Sequence, residues 1–413
     1  MKIFKILAVA LVAMLGFTAC DKECGHDFIE HDFTQDIVGT WTSLNGELAE
    51  AMVIKEDGSF TTTGVMKGGS LYEEKGTIKV VNNKVTLAFE GDNEAYEGRL
   101  EFVAGKSLSI VMFDDNDVRL TYDYCKEDLS EELVGMWVCN DGLTDGITIM
   151  SYSDNGKMTI TTAAALGTND PLVKRESDYV VVGDLMFTKL PAANVEGQPL
   201  YTAARMTYTP NGTSAGDIMT HTLYTPSANG VVKVTSSFLR IKQSLELTGT
   251  YDYSSAYISN VKGKDEDFTI LGHTFNMADI KGGNFDMLFR SELFSVDLNA
   301  NSITQRFRAN GRDIEIVIPI TVDDNKVTLD LSAENPAYRK VDMYMFQDAD
   351  NSQLHMYMHT NDFINYFANM ELYNLLASGE IDKTDAAAIE KVYTDMEARI
   401  ESINVSFVMK ARK

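Results

Sequence analysis

One short pattern, written three times, constrains this chain more than any other feature. Asp36-Ile37-Val38-Gly39-Thr40-Trp41, Glu132-Leu133-Val134-Gly135-Met136-Trp137 and Glu246-Leu247-Thr248-Gly249-Thr250-Tyr251 share acid, aliphatic, Val or Thr, Gly, any residue, aromatic. Turn signals follow in near register, at Asp57-Gly58 after the first copy and Asn155-Gly156 after the second. Both central residues of a type I′ turn have positive φ, so an Asx-Gly pair between β-rich runs marks a tight hairpin. A second turn follows in Val81–Leu87, Val182–Phe187 and Asp324–Leu329, with Asn-Lys-Val-Thr-Leu identical in the first and third, and Asn301 serves as the earlier turn of the third copy. A repeat of this size implies one supersecondary plan reused, and 413 residues are enough for several domains.

The first copy reads as eight strands, near 38–44, 50–55, 59–65, 74–81, 84–90, 95–103, 107–113 and 117–124. Val85, Leu87 and Phe89 share one face of a strand. Val118, Leu120, Tyr122 and Tyr124 oppose Arg119, Thr121 and Asp123 on another. Eight antiparallel strands joined by tight turns predict a sandwich or an up-and-down barrel, and closure removes the edges that otherwise aggregate. The expected fold is therefore mainly β, three tandem antiparallel eight-stranded barrels at 36–126, 132–243 and 245–413. Junctions this short, 127–131 and 244, imply a semi-rigid string. The third module carries two additions. One lies near 265–293, rich in Phe and Met. The other, at 361–401, reads as a helical hairpin, with Phe363, Tyr366, Phe367 and Met370 on its first helix. Its second helix, from Thr384 to about Glu401, carries Ile389, Val392, Tyr393 and Met396, and Gly379 stops the chain between the two. The final strand is expected at Ile403–Ala411. The additions either line a mostly apolar pocket at a barrel mouth or cap a barrel filled by its own side chains; the first, smallest module is expected to be filled.

Gly39-Thr40-Trp41 on a first strand, seven further strands and a basic residue on the last strand together resemble the calycin superfamily, specifically the lipocalin-like domains of secreted bacterial lipoproteins. In that family the Trp plugs the closed end of the barrel and a basic side chain packs across it. The resemblance implies plugs at Trp41, Trp137 and, with Tyr in place of Trp, Tyr251. It implies basic partners at Arg119 and Arg240, and Lys410 or Arg412 in the third module.

The chain opens on a positive segment at Lys2 and Lys5 and an apolar stretch from Ile6 to about Phe17. This reads as a secretory signal, residues 1–19, too short for a stable membrane span. It ends in Gly16-Phe17-Thr18-Ala19-Cys20, which resembles the lipobox of bacterial lipoproteins and implies acylation of Cys20. Residues 20–35 form an acidic tether, similar to the export signals of surface-exposed lipoproteins of Gram-negative bacteria. The implied address is the outer membrane, at the cell surface or facing the periplasm, with the lipid as membrane contact. Of the four cysteines, Cys125 and Cys139 flank a junction and read either as a disulfide or as two buried thiols.

With 61 acidic against 36 basic residues and a formal charge of −25, the surface repels phosphate backbones, so nucleic acid is excluded as a partner. Six His include no nucleophile elbow. His355 and His359, in His-Met-Tyr-Met-His, are expected on one strand face without the pattern of a zinc protease. Cys24, His26 and His31 in the tether lack the spacing of a metal site. Asp348–Ser352 lacks the Gly and Glu of a calcium loop, and Asp114–Asp117 reads as a hairpin turn. No metal or cofactor is expected, and a monomer is the expected state. The functional reading is a non-catalytic binding lipoprotein that engages a small apolar ligand, glycan or surface protein through the third module. The alternatives are a hydrolase or other enzyme sited in that module, or a purely structural or inhibitory lipoprotein.

Overall fold

The computed structural model describes residues 32–412 apart from 45–48, 67–68, 113–117, 140–147, 164–171, 194–196, 214–215, 228–229, 271–272, 283–285, 287–288, 291–293, 310 and 333–334. The leader and the tether up to residue 31, with Cys20, Cys24, His26 and His31, lie outside the described residues, as does the turn at Asp114–Asp117.

Three closed eight-stranded antiparallel barrels follow one another along the chain. The first comprises β1 (Gly39–Leu44), β2 (Ala49–Ile54), β3 (Ser59–Val65), β4 (Leu71–Val81), β5 (Lys84–Phe89), β6 (Tyr96–Val103), β7 (Ser107–Met112) and β8 (Arg119–Cys125). Each strand pairs with the next, and β8 returns to β1 with Tyr124 opposite Trp41. All eight expected strands are present, displaced by at most a few residues at their ends.

A one-turn helix, α1 (Ser130–Leu133), leads into the second barrel. Its strands are β9 (Gly135–Cys139), β10 (Thr148–Tyr152), β11 (Lys157–Ala163), β12 (Leu172–Val182), β13 (Leu185–Ala193), β14 (Pro199–Thr213), β15 (Gly216–Ser227) and β16 (Gly230–Ile241). It closes between β16 and β9, with Arg240 opposite Trp137. The third barrel begins with β17 (Gly249–Gly263), which pairs with the final strand along most of its length. The first addition then supplies a two-stranded ribbon, β18 (Phe268–Ile270) and β19 (His273–Phe275), and helix α2 (Met277–Lys281). The wall continues through β20 (Ser295–Asn299), β21 (Ser302–Ala309), β22 (Arg312–Asp323), β23 (Lys326–Leu329), β24 (Val341–Gln347) and β25 (Gln353–Met358). The second addition is the helical hairpin α3 (Thr360–Ser378) and α4 (Ala386–Glu397), followed by β26 (Ile400–Ala411), which starts slightly earlier than expected. Gly379 ends α3 in the left-handed conformation, and the Asp385 carboxylate caps α4 by accepting from Ala388 N.

Period-two patterning decides which side of each wall faces inward. In β22, Ile316, Ile318 and Ile320 are buried while Glu315, Val317 and Pro319 face out. The outward faces are not uniformly polar. Ala51 of barrel one packs with Leu185, Phe187 and Ala203 of barrel two. Val138, Ile149, Leu239 and Ile241 of barrel two pack with Phe346 and Tyr357 of barrel three. Backbone bonds tie the same joints: Leu129 N donates to Gly183 O at 3.0 Å, Tyr201 N to Gly69 O at 2.6 Å, and Lys242 N to Gln347 O at 2.9 Å.

Candidate functional site

The repeated motif builds one end of each barrel. Its glycine, Gly39, Gly135 or Gly249, has φ of 140°, 131° or 99°, a backbone that L side chains rarely adopt. The chain turns there so that the aromatic residue two positions on points into the barrel. Trp41 and Trp137 are buried, and each indole Nε1 donates to the carbonyl four residues back, Ile37 O and Leu133 O, both at 2.8 Å. A buried indole N–H left unpaired costs about 1–3 kcal/mol, and here the aliphatic position of the motif supplies the acceptor. Tyr251 is equally buried, but its hydroxyl accepts from Gln347 Nε2 at 2.9 Å. Gln347 also donates to Glu246 O and accepts from Glu246 N, so one β24 side chain replaces what the indole does alone.

The basic partners divide. Arg240 lies over the Trp137 ring at 4.4 Å and donates to Val134 O at 3.0 Å and to Glu132 O. Arg119 does not play this part: it points outward and pairs with Glu101. The position opposite Trp41 belongs to Tyr124, whose ring meets the indole edge-on at 5.0 Å. Alternation explains the correction, since Arg119 is out of phase with the inward row Leu120, Tyr122 and Tyr124. In barrel three Ala411 stands opposite Tyr251, and Arg412 pairs with Asp252 through Nε, at 3.0 Å, and Nη2.

Cys125 and Cys139 remain thiols. Cys125 Sγ lies at the first junction, donating to Glu127 O at 3.0 Å, and a Cβ on Gly183 would sit 2.8 Å from it. Cys139 ends β9, which carries it away from that junction to the second barrel's core.

A buried carboxyl inside barrel one was not anticipated. Glu50 accepts from the hydroxyls of Tyr72 and Tyr122, and burial pushes its carboxyl above the usual range, an effect the two phenol donors only partly offset. The signal was legible, because Glu50 is in phase with inward Met52 and Ile54 on β2.

The additions of barrel three extend its core. Phe289, Phe294, Phe363, Phe367, Met356 and Phe407 pack in one cluster. Between α3 and the wall lies a void of about 10 Å³, beside Gln305, Tyr366 and Met370. That is room for about one water. Among the described residues, then, α3 caps a filled barrel, and the void beneath it is far smaller than the apolar pocket of the other expectation.

His355 sits on β25, but His359 is the residue before α3, so the two do not share a strand. Burial lowers both imidazoles, His355 to about 4. Among the described residues no group of three His, Cys, Asp or Glu is placed to hold a metal. Asp348–Ser352 is the β24–β25 turn: Asp348 accepts from Gln353 N at 3.0 Å and Ser352 Oγ at 2.5 Å.

A groove of about 300 Å³ lies on the wall of barrel three, where Arg306, Arg308, Asp313, Glu315 and Arg412 share the lining with Ser295, Phe307 and Ile314. Arg306 donates through Nε to Glu315 at 2.8 Å and through Nη1 to Asp297, which also accepts from Thr250 Oγ1. Arg308 Nε donates to Asp313 at 2.7 Å. With the Arg412–Asp252 pair, the charges form a ladder from the residue after β26 across β17, β20, β21 and β22.

Fold and sites together define a mainly-β protein of three closed barrels. Comparison with family models, curated proteins and solved structures finds no match to this chain. No described helix is long and apolar enough to cross a membrane.

Proposed function

We propose that this chain is a non-catalytic binding protein, held at the outer membrane through acylated Cys20, that engages its partner on the outer wall of barrel three. The observation that carries this reading is the filling of the barrels by their own side chains, beside a ligand-sized groove on that wall. Ligand sites begin at about 300 Å³, so a guest fits the groove and not the void beneath α3. The closed eight-stranded meander, with Gly-x-Trp on the first strand, supports the likeness to lipocalin-like lipoprotein domains, with the interior in a plugged form. Native mass spectrometry of the full chain tests the wall against the interior. The expected spectrum is the chain without an apolar passenger, and a co-purifying lipid retained in the folded ion would overturn the reading. Metabolic labelling with a fatty-acid analogue tests the anchor; label retained after Cys20→Ala would remove it.

A further inference from the structure

The groove on barrel three has a chemical character that selects among partner classes. Arg306, Arg308 and Arg412 bring three positive charges, and Asp252, Asp297, Asp313 and Glu315 bring four negative ones. The local balance is close to neutral and slightly negative, in a chain whose formal charge is −25, which disfavours an anionic ligand. The lining mixes these charged heads with Ser295, Phe307 and Ile314, so an alkyl chain laid along it would cover guanidinium and carboxylate groups and leave them without hydrogen-bond partners from the ligand. An extended peptide recognised by strand addition needs a sheet edge, and the closed barrel wall presents none.

What the ladder does present is hydrogen-bonding capacity held in place. Arg306 uses Nε and Nη1 within the ladder, leaving Nη2. Arg412 uses Nε and Nη2 on Asp252, leaving Nη1. Carboxylate oxygens have several lone-pair sites each, so acceptors remain beside these donors. Arg306, held between Asp297 and Glu315, loses little side-chain freedom when a ligand binds. Alternating fixed donors and acceptors in a shallow, nearly neutral groove match a molecule that is itself both donor and acceptor at adjacent atoms, that is, a vicinal diol.

We propose that this groove binds a neutral glycan, with the Arg306–Glu315, Arg308–Asp313 and Arg412–Asp252 pairs each meeting sugar hydroxyls. This rests on the wall reading given above and names the class of its partner. The test is isothermal titration of the full chain with neutral oligosaccharides of glucose, galactose and mannose, alongside heparin and a long-chain fatty acid. At least one neutral oligosaccharide should bind, and Arg306→Ala and Arg308→Ala should each weaken it at least tenfold with unchanged melting temperature. Arg308 lies near the exposed end of the β21–β22 hairpin, so its variant keeps the test open if Arg306→Ala fails to fold. If no neutral oligosaccharide binds but heparin or the fatty acid does, and Arg308→Ala abolishes that binding, the glycan assignment falls and the wall reading stands. If whatever binds is indifferent to both variants, or nothing binds, both fall.

Discussion

Barrels one and three begin with the same six-residue pattern and close with the same antiparallel meander, yet they satisfy their plugs in different ways. In barrel one the Trp41 indole donates to a carbonyl four residues back, so the motif contains its own solution. In barrel three the Tyr251 hydroxyl depends on Gln347, 96 residues away, which also holds both backbone groups of Glu246. The conserved element across the copies is therefore a buried aromatic position after a positive-φ glycine. The partner of its polar atom is a separate matter, solved locally with Trp and by a long-range contact with Tyr.

The comparison breaks most readily at the plugs. Trp41→Ala and Trp137→Ala should each cost about 3–5 kcal/mol, as truncation of large buried aromatics does. Tyr251→Phe should cost about 1 kcal/mol, the size of one hydrogen bond. Denaturant unfolding with hydrogen exchange resolved by barrel measures both, and a Tyr251→Phe loss as large as that of Trp41→Ala would show that the phenol, not the ring, holds barrel three closed.

The motif glycines give the next effect. Gly39→Ala places a Cβ 2.8 Å from the Tyr124 ring at φ 140°, whereas the nearest atom at Gly249 is 3.4 Å away. Strain of this kind costs about 1–3 kcal/mol, so both should lower the melting temperature and Gly39→Ala should lower it more. The reverse order would mean that the Tyr124 contact relaxes at no cost.

Arg240 and Arg119 sharpen the contrast further. Arg240→Met removes a ring contact and two carbonyl bonds and should cost about 1–3 kcal/mol; Arg119→Met, which removes an exposed pair, should stay within about 1 kcal/mol. Equal losses in a thermal melt would restore Arg119 as a structural partner.

The smallest effect is in pH dependence. Glu50 titrates higher in the folded state than its ordinary 4.5, so the folded state holds the extra proton, and its contribution to stability falls as pH rises through that window. His221 and His355 run the other way: their folded values lie near 4 against an ordinary 6.5, so stability is lost as pH falls from 6.5 to 4. Exchange protection of barrel one should therefore lose its pH slope in Glu50→Gln, while barrels two and three keep theirs. A slope unchanged in barrel one would place its origin elsewhere.

Much of this was legible along the chain because it is local. The motif, the Asx-Gly turns and the alternation of β8 specify strands, faces and, at Gly379, the break between α3 and α4 through φ preferences and period two, which need no distant partner. The same alternation already argued against Arg119, since Leu120, Tyr122 and Tyr124 occupy the inward face that a partner of Trp41 must share. Glu50 too was in phase with Met52 and Ile54, but sequence does not say that Tyr72 and Tyr122 arrive to meet it.

The strands of barrel one, the hairpin turns and the helical hairpin were thus determined by sequence alone, through turn chemistry and hydrophobic period. Tertiary structure decided the rest: that Gln347 completes the Tyr251 plug, that Cys125 and Cys139 face different surroundings, and that the barrel-three additions fill the interior. It also set the charge ladder from Arg412 to Glu315, whose members come from four strands and the residue that follows a fifth. These depend on barrel closure and register, which bring residues up to 160 positions apart within hydrogen-bond reach, and no local preference encodes that distance.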